Sequence, residues 1–251
     1  MSKYTGNLAE RFSNKHYVKD SFSEEGLSAI DACRKKFSFS QSVLWTPYFP
    51  RNKQRYQIVK DHLSNFLGEK ILDVGTRDNT LSEMIERPVA LVDKNNPDLP
   101  EFNWEKENLP FKDNSFDTLV CLDVLEHIEN SHEALADLVR VSGRHVVISL
   151  PNCWRKAVGE FAKGRGRWAT YGFPPEKPMD RHKWFFNVED AEDLIFYNAP
   201  KYGYSVEKVI YHIPKTILRL KIMYPLLQLI LPEYQFKNLF TETVFFVLTK
   251  N

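Results

Sequence analysis

The chain has 251 residues, 43% hydrophobic and 27% charged, enough apolar content for one substantial core and too ordinary a mix for a disordered segment. Thirty-four Lys and Arg against thirty-three Asp and Glu leave a formal charge of +1, which excludes a nucleic-acid binder held by global charge and an acidic solvating tail. Cys33, Cys121 and Cys153 are widely spaced and fit neither a disulfide framework nor a paired-cysteine zinc or redox site. The first twenty residues are polar and carry no apolar signal core, so a cytoplasmic location is expected.

A polar arm leads to a helix expected around Arg51–Phe66, where Tyr56, Ile58, Val59, Leu63 and Phe66 supply an apolar face. Residues 1–69 therefore read as an N-terminal helical cap. From Lys70 short apolar runs alternate with helical stretches: strands at 71–74, 89–93, 116–122 and 145–150, helices at 81–85 and 132–141. Near-continuous apolar strands separated by helices require a parallel sheet covered on both faces. A Pro-rich loop at 173–180 is a candidate lid within an acceptor-site segment, 151–190. Two further β-like runs, 204–213 and 243–249, flank an apolar helical insert at 214–240 and suggest an antiparallel edge.

The first chemical motif is Asp73-Val-Gly75-Thr-Arg77-Asp-Asn79, at a strand-to-helix junction. Glycine there permits a tight turn and close approach of backbone to ligand. Eighteen positions later, Asp93 ends the second strand, where a carboxylate can accept both hydroxyls of a ribose. The pair reads either as a nucleoside-cofactor site or as a plain turn and a strand cap.

Residues 107–128, ENLPFKDNSFDTLVCLDVLEHI, taken with ILDVG and VDKNN upstream, resemble the class I S-adenosylmethionine-dependent methyltransferases, in the subgroup often labelled type 11. The resemblance covers residues 70–152 and extends by topology to the end of the chain. It implies an α/β, Rossmann-like open sheet of seven strands, mostly parallel with an antiparallel edge strand and helices on both faces, making 70–251 the methyltransferase domain. It implies S-adenosyl-L-methionine as cofactor, with Asp73 and Gly75 under its methionine end and Asp93 on the ribose. Lys94 and Asn95 would flank the adenine, Glu105 would accept from the adenine amino group, and Asp123 would face the methionine moiety. The glycine-rich turn of this family has three glycines, whereas this chain has Arg77 and Asn79 at the second and third positions. Asn79 is expected to stand in by adopting the left-handed conformation, and Arg77 must leave the cofactor path.

Asp123, Glu126 and His127 fall at i, i+3 and i+4 and would share one face of a helix starting there. With His182 they resemble the acid–His sets that hold a magnesium-like ion in methyltransferases of small-RNA 3′ ends and some quinone-biosynthesis relatives. The residues alone leave three readings open: structural packing, metal ligation and general-base work. No metal ligand is assigned, and Glu126, His127 and His182 are taken as the catalytic candidates, since methyl transfer from a sulfonium needs in-line alignment and one base.

The resemblance extends to enzymes of sugar and envelope-polysaccharide synthesis, which implies transfer to an oxygen or nitrogen of a small-molecule or glycan-type acceptor. Lipid or quinone acceptors come second and RNA last. An inactive cofactor-fold scaffold is the reading from a different class. The basic, aromatic-rich start of 154–186 suits phosphate recognition or a solvated loop. The apolar 216–232, interrupted by Arg219, Lys221, Pro225 and Gln228, suits a buried cap or a peripheral membrane contact.

Overall fold

In the computed structural model the described residues are 23–46, 51–76, 78–93, 102–164, 171–173, 175–176, 178, 180–214, 223, 226–227 and 229–251. The chain enters through α1 (Glu24–Lys36), a one-turn α2 (Phe39–Ser42) and β1 (Val43–Thr46), then α3 (Arg51–Ile58), which continues through a π-helical turn (Val59–Leu63) and a 3-10 turn (Ser64–Phe66). There follow β2 (Ile71–Val74), α4 (Thr80–Ile85), β3 (Ala90–Val92), β4 (Phe116–Leu122), α5 (Ser131–Val141), β5 (Ser142–Pro151) and α6 (Cys153–Ala162). α7 (Val188–Lys201), β6 (Tyr204–Pro214), α8 (Glu233–Phe240) and β7 (Thr243–Lys250) complete it.

The strands form one seven-stranded sheet in the order β1-β6-β7-β5-β4-β2-β3. Side chains on a strand alternate between faces, and the alternation sorts the apolar runs into two cores. Leu72, Leu119, Val146, Ile148 and Phe246 meet Ile30 of α1, Leu138 of α5 and Ile195 of α7. Their neighbours Ile71, Val120, Val147 and Phe245 meet Ile58 of α3 and Leu81 of α4 on the other face. Because both faces are buried, the strands read as continuous apolar runs rather than alternating ones.

Three expectations change. The antiparallel strand is not at the edge: β7 lies between β5 and β6 and runs antiparallel to both. β6 is in turn covered by β1, paired in parallel from Val43↔Tyr211 to Thr46↔Pro214. Residues 1–69 thus contribute a sheet strand as well as helices, which four residues, VLWT, were too short to signal. Of the basic start of 154–186, residues 154–162 are helical rather than a loop: Asn152 caps α6 by accepting from Arg155 N and donates to Asn238 and Thr241 carbonyls at 2.8 Å, while Arg165, Arg167 and Trp168 lie outside the described residues. Residues 215–222, 224, 225 and 228 of the apolar insert lie outside the described residues.

A buried ion network fastens the helices to the sheet. Glu192 of α7, 1% exposed, accepts from Arg34 Nε of α1 at 2.7 Å, from Lys237 Nζ of α8 at 3.0 Å and from Tyr211 Oη of β6 at 2.8 Å. Burial alone would raise the Glu192 pKa, but Lys237 and Arg34 hold it below its ordinary value. The folded form therefore binds its proton less readily than the unfolded chain, so this stabilisation is complete above the ordinary carboxylate range and is lost as pH falls through the depressed value. Glu192→Ala leaves buried Lys237 only the exposed Glu233, 3.3 Å away, and is expected to cost about 3 kcal/mol in urea denaturation at neutral pH, with the deficit against wild type shrinking in acid.

Candidate active site

A cavity of about 950 Å³ opens at the carboxyl ends of β2, β3, β4 and β5, at the upper end of the about 300–1,000 Å³ typical of small-molecule sites. Ligands of open α/β sheets sit at this end of the strands.

One half of the cavity is built on the β2 turn. Gly75 has φ +80, and a Cβ there would stand 2.4 Å from Val124 Cγ2, so both its conformation and its surroundings demand glycine. Its N–H donates to Val92 O at 2.8 Å and ties the turn to β3. Asp93, 6% exposed, follows β3 and lines the cavity. Asp73 is 1% exposed on β2 and lies off the lining, with Oδ2 lacking a hydrogen-bond partner. Burial pushes its pKa up to about 8, against the pull of Tyr56 and Arg55.

Asn79 has φ −83 and precedes α4 as its cap residue, outside the lining. The left-handed substitution expected of Asn79 is therefore not needed, since among the described residues of the turn only Gly75 has positive φ. Arg77, Lys94 and Asn95 lie outside the described residues. Glu105 is exposed and off the lining, accepting from Glu129 N at 2.8 Å. Phe102, Asn103 and Trp104 line this wall instead. They are placed by buried Asp137, which accepts from Trp104 Nε1 at 2.9 Å and from Leu109 N at 2.5 Å.

The other half gathers the proton-bearing groups. Asp123 sits at φ +53 and a 3-10 turn follows at Leu125–His127, so the helix expected to align Asp123, Glu126 and His127 does not form. Asp123 turns to Arg55 Nη1 and Ser149 Oγ, each at 2.5 Å. Ser131 Oγ donates to Leu125 O and Ile128 O at 2.7 Å and holds the turn. Loop 181–184 is pinned on it: Lys183 N donates to Glu126 O at 2.7 Å and Trp184 Nε1 to Ile128 O at 2.8 Å. That pinning brings His182, distant in sequence, against His127, with ring centroids 4.5 Å apart.

Both imidazoles present Nε2 to one carboxylate oxygen, Glu126 Oε1, at 3.7 Å from His127 and 4.0 Å from His182. His127 Nδ1 meets Asp180 Oδ1 at 2.9 Å, which fixes the proton on Nδ1 and leaves Nε2 a lone pair. Tyr171 Oη lies 2.8 Å from His182 Nδ1 and 3.0 Å from Trp184 O. The hydroxyl has one proton and two acceptors for it, Trp184 O and Cys153 Sγ at 2.7 Å, so toward His182 it accepts, from Nδ1–H. His182 Nε2 is then a lone pair as well. Burial, with the charges of His127 and Lys156, lowers the His182 pKa to about 4. Burial and then the Asp123 charge raise that of Glu126, whose Oε2 is buried without a partner.

Glu126, His127 and His182 offer ligand atoms within 4.8 Å of one another, a set that suits a divalent cation as well as a proton. The residues that the sequence did not point to are Arg55, Tyr56, Tyr171 and Asp180. Arg55 and Tyr56 look like ordinary cap positions, and Tyr171 and Asp180 matter only once the loop has folded back.

Residues 74–147 match the family model described as a methyltransferase domain. Over that segment the chain is similar to the methyltransferase-domain family. A search of curated protein sequences finds no match. Among solved structures, a SAM-dependent methyltransferase from Archaeoglobus fulgidus aligns at TM-score 0.52 and 13% identity, over 79% of this chain and 94% of that one. The small RNA methyltransferase HEN1 aligns at TM-score 0.52 and 13% identity, over 82% of this chain and 26% of that one. Magnesium protoporphyrin IX methyltransferase from Synechocystis, solved with bound SAH, aligns at TM-score 0.47 and 14% identity, over 89% and 94%. The sheet is that of the methyltransferase fold, and the matched residues hold Gly75, Asp93, Asp123, Glu126 and His127.

Asp73 supplies a direct test of the electrostatics at the β2 turn. Its folded pKa near 8 lies above the ordinary 3.8, so between these values the folded chain holds a proton that the unfolded chain has lost, and stability falls as pH rises through that window. Asp73→Asn is expected to flatten the decline between pH about 5 and 8 by an amount on the order of a few kcal/mol, read from urea midpoints across pH.

Proposed function

We propose that the chain is an S-adenosyl-L-methionine-dependent methyltransferase, acting on an oxygen or nitrogen of a small-molecule or glycan-type acceptor. The observation that carries this reading is one cavity with two chemically distinct halves: the Gly75 turn with Asp93 on one side, and two imidazole lone pairs beside buried Glu126 on the other. When bound, the cofactor supplies an electrophilic sulfonium methyl. Asp93 accepts from the ribose hydroxyls, Gly75 admits the cofactor against the backbone, and the uncompensated acidity of Asp73 favours a cation nearby. His182 or His127 would take the proton from an acceptor hydroxyl or amine held in line with that methyl. Tyr171 and Asp180 accept from the Nδ1–H groups and so orient both Nε2 atoms as the proton acceptors for that task, and no covalent enzyme intermediate is required.

A scaffold role would need only the cofactor half, and the fixed tautomers of His127 and His182 favour catalysis over it. Calorimetric titration with S-adenosyl-L-methionine tests the reading: Asp93→Ala should weaken binding by about 10–100-fold through loss of a charge-assisted pair of hydrogen bonds. Failure of the wild-type chain to bind the cofactor at all would sink it.

A divalent ion at Glu126, His127 and His182 is a second reading, favoured by the orphaned Glu126 Oε2 and the two Nε2 lone pairs. His127 and His182 each have their Nδ1 fixed by a second partner, as metal-bound histidines do, so the residues fit. Such an ion would polarise the acceptor oxygen. Metal titration followed by calorimetry should then show one site that His182→Ala weakens at least about tenfold. Equal uptake by wild type and variant would return the cluster to base catalysis alone.

A further inference from the structure

The cavity runs on past the histidine cluster. Beyond β5 it reaches the carboxyl end of β6 and the start of β7, where Gln54, Arg155, His212, Phe240, Glu242 and Thr243 line it. His212 is 2% exposed and Gln54 6% exposed, yet both belong to the lining of this arm. Thr46, at the end of β1, and Gln54 hold the ring: Thr46 Oγ1 is 2.7 Å and Gln54 Nε2 3.2 Å from His212 Nε2. An amide nitrogen only donates, so Nε2 accepts and the proton of the neutral ring sits on Nδ1. Burial and the Arg155 charge lower the His212 pKa to about 4, against the pull of Asp123, which keeps the ring neutral at physiological pH. Among the described residues both ring hydrogen bonds run through Nε2, so Nδ1–H is a donor that a ligand can use.

Arg155 and Glu242 balance each other's charge in this arm. Arg155 Nη1 stands 3.9 Å from Glu242 Oε1, with the two side chains 32% and 27% exposed. That separation is an ion pair without a hydrogen bond, and among the described residues neither the guanidinium nor the carboxylate makes one elsewhere. A carboxylate or phosphate drawn to Arg155 would meet Glu242, and an ammonium drawn to Glu242 would meet Arg155, so the pair disfavours either ion alone. A hydroxyl donates once and accepts twice. Two hydroxyls on neighbouring carbons can therefore accept from Arg155 and donate to Glu242, while a further oxygen accepts from His212 Nδ1–H. Leu239 and Phe240 supply apolar surface beside these groups, the usual setting for a few placed polar side chains in a small-molecule site.

We propose that this arm is the recognition subsite for the acceptor and takes the neighbouring hydroxyls of a neutral, saturated ring, with Arg155, Glu242 and His212 as the specificity-determining residues. That the ring belongs to the methyl acceptor rests on the methyltransferase reading; that the arm binds it does not. A ring held there leaves the histidine cluster open for the group that reacts. α6 borders both places, since the Lys156 charge reaches His182 and the Arg155 charge reaches His212.

The full chain, with nitrogen-labelled histidines, is followed by NMR at the His212 ring, assigned through His212→Asn, during titration with the methyl α-glycosides of glucose, mannose and galactose. At least one is expected to shift the His212 Nδ1 signal saturably, and to bind at least about tenfold more tightly than tetrahydropyranyl methanol, which keeps a single hydroxyl. Glucuronate, glucosamine and alanine, as an anion, a cation and a zwitterion, should each bind at least about tenfold more weakly than that glycoside. Arg155→Ala should weaken the glycoside by about tenfold or more with circular dichroism unchanged. Glu242→Gln, read also if Arg155→Ala loses its fold, should move the preference toward glucuronate, a reversal that a merely structural pair would not give. No saturable shift with any of the three glycosides, equal or tighter binding of an ionic probe, or unchanged affinity in the folded variants would overturn the proposal. Glycoside binding by a chain that does not bind S-adenosyl-L-methionine in calorimetry would count against the methyltransferase reading and leave this subsite standing; cofactor binding with no glycoside binding would remove the subsite alone.

Discussion

The pairing of β7 between β5 and β6 is the constraint on which the site depends. Its antiparallel ladders run from His145↔Thr249 to Pro151↔Thr243 on one side and from Tyr204↔Lys250 to His212↔Thr243 on the other. Once β7 occupies that slot, β6 points its carboxyl end the same way as β5 and leaves an open edge. An open edge invites another strand, and β1 fills it in parallel. With β1 fixed there, α3 begins beside the carboxyl ends of the strands and delivers Gln54, Arg55 and Tyr56 to the cavity. The N-terminal segment is thus positioned by the last strand of the chain, two parts of the sequence with no local signal connecting them.

Around the cavity the charge distribution is unbalanced in a way that favours particular ligands. Asp73 and Glu126 are both buried, both have raised pKa values through burial, and each keeps one oxygen without a partner. Arg55 is the half-buried cation nearby, and it is committed to Asp123, whose charge in turn raises the Arg55 pKa. An isolated buried carboxylate is costly and takes a proton unless a cation arrives. The site is therefore prepared for positive charge at two points, one at the β2 turn and one at the histidine cluster, and it has few ways to satisfy that demand from its own side chains.

The sheet and the Gly75 turn were legible because they are written locally. Strands 71–74 and 116–122 match their observed bounds, since fully buried parallel strands leave unbroken apolar runs, and Gly75 is marked by the turn it must make. β1 was not legible because its four residues gain their meaning only from the β6 edge. The helix expected through Asp123, Glu126 and His127 failed for a related reason: Asp123 is drawn by Arg55 and Ser149 into a left-handed conformation, a tertiary contact overriding a helical spacing. His182 was identified as a partner for the motif, but the two groups that fix the imidazole protons, Tyr171 and Asp180, lie in a loop whose course is set by its pinning to Glu126 and Ile128.

α6 shows how one short helix can serve two environments at once. Its inward positions, Cys153 and Ala157, are small enough for close packing, and burial pushes the Cys153 thiol up to about 11, so it stays protonated beside Tyr171 and His182 rather than adding another negative charge to an acidic cavity. Lys156 and Lys163 border that cavity, and Trp154 and Phe161 face outward. A near-neutral total charge conceals this division among the described residues: Asp93, Glu126 and Asp180 line the interior, and α6 brings Arg155 and Lys156 to the same cavity from its other wall.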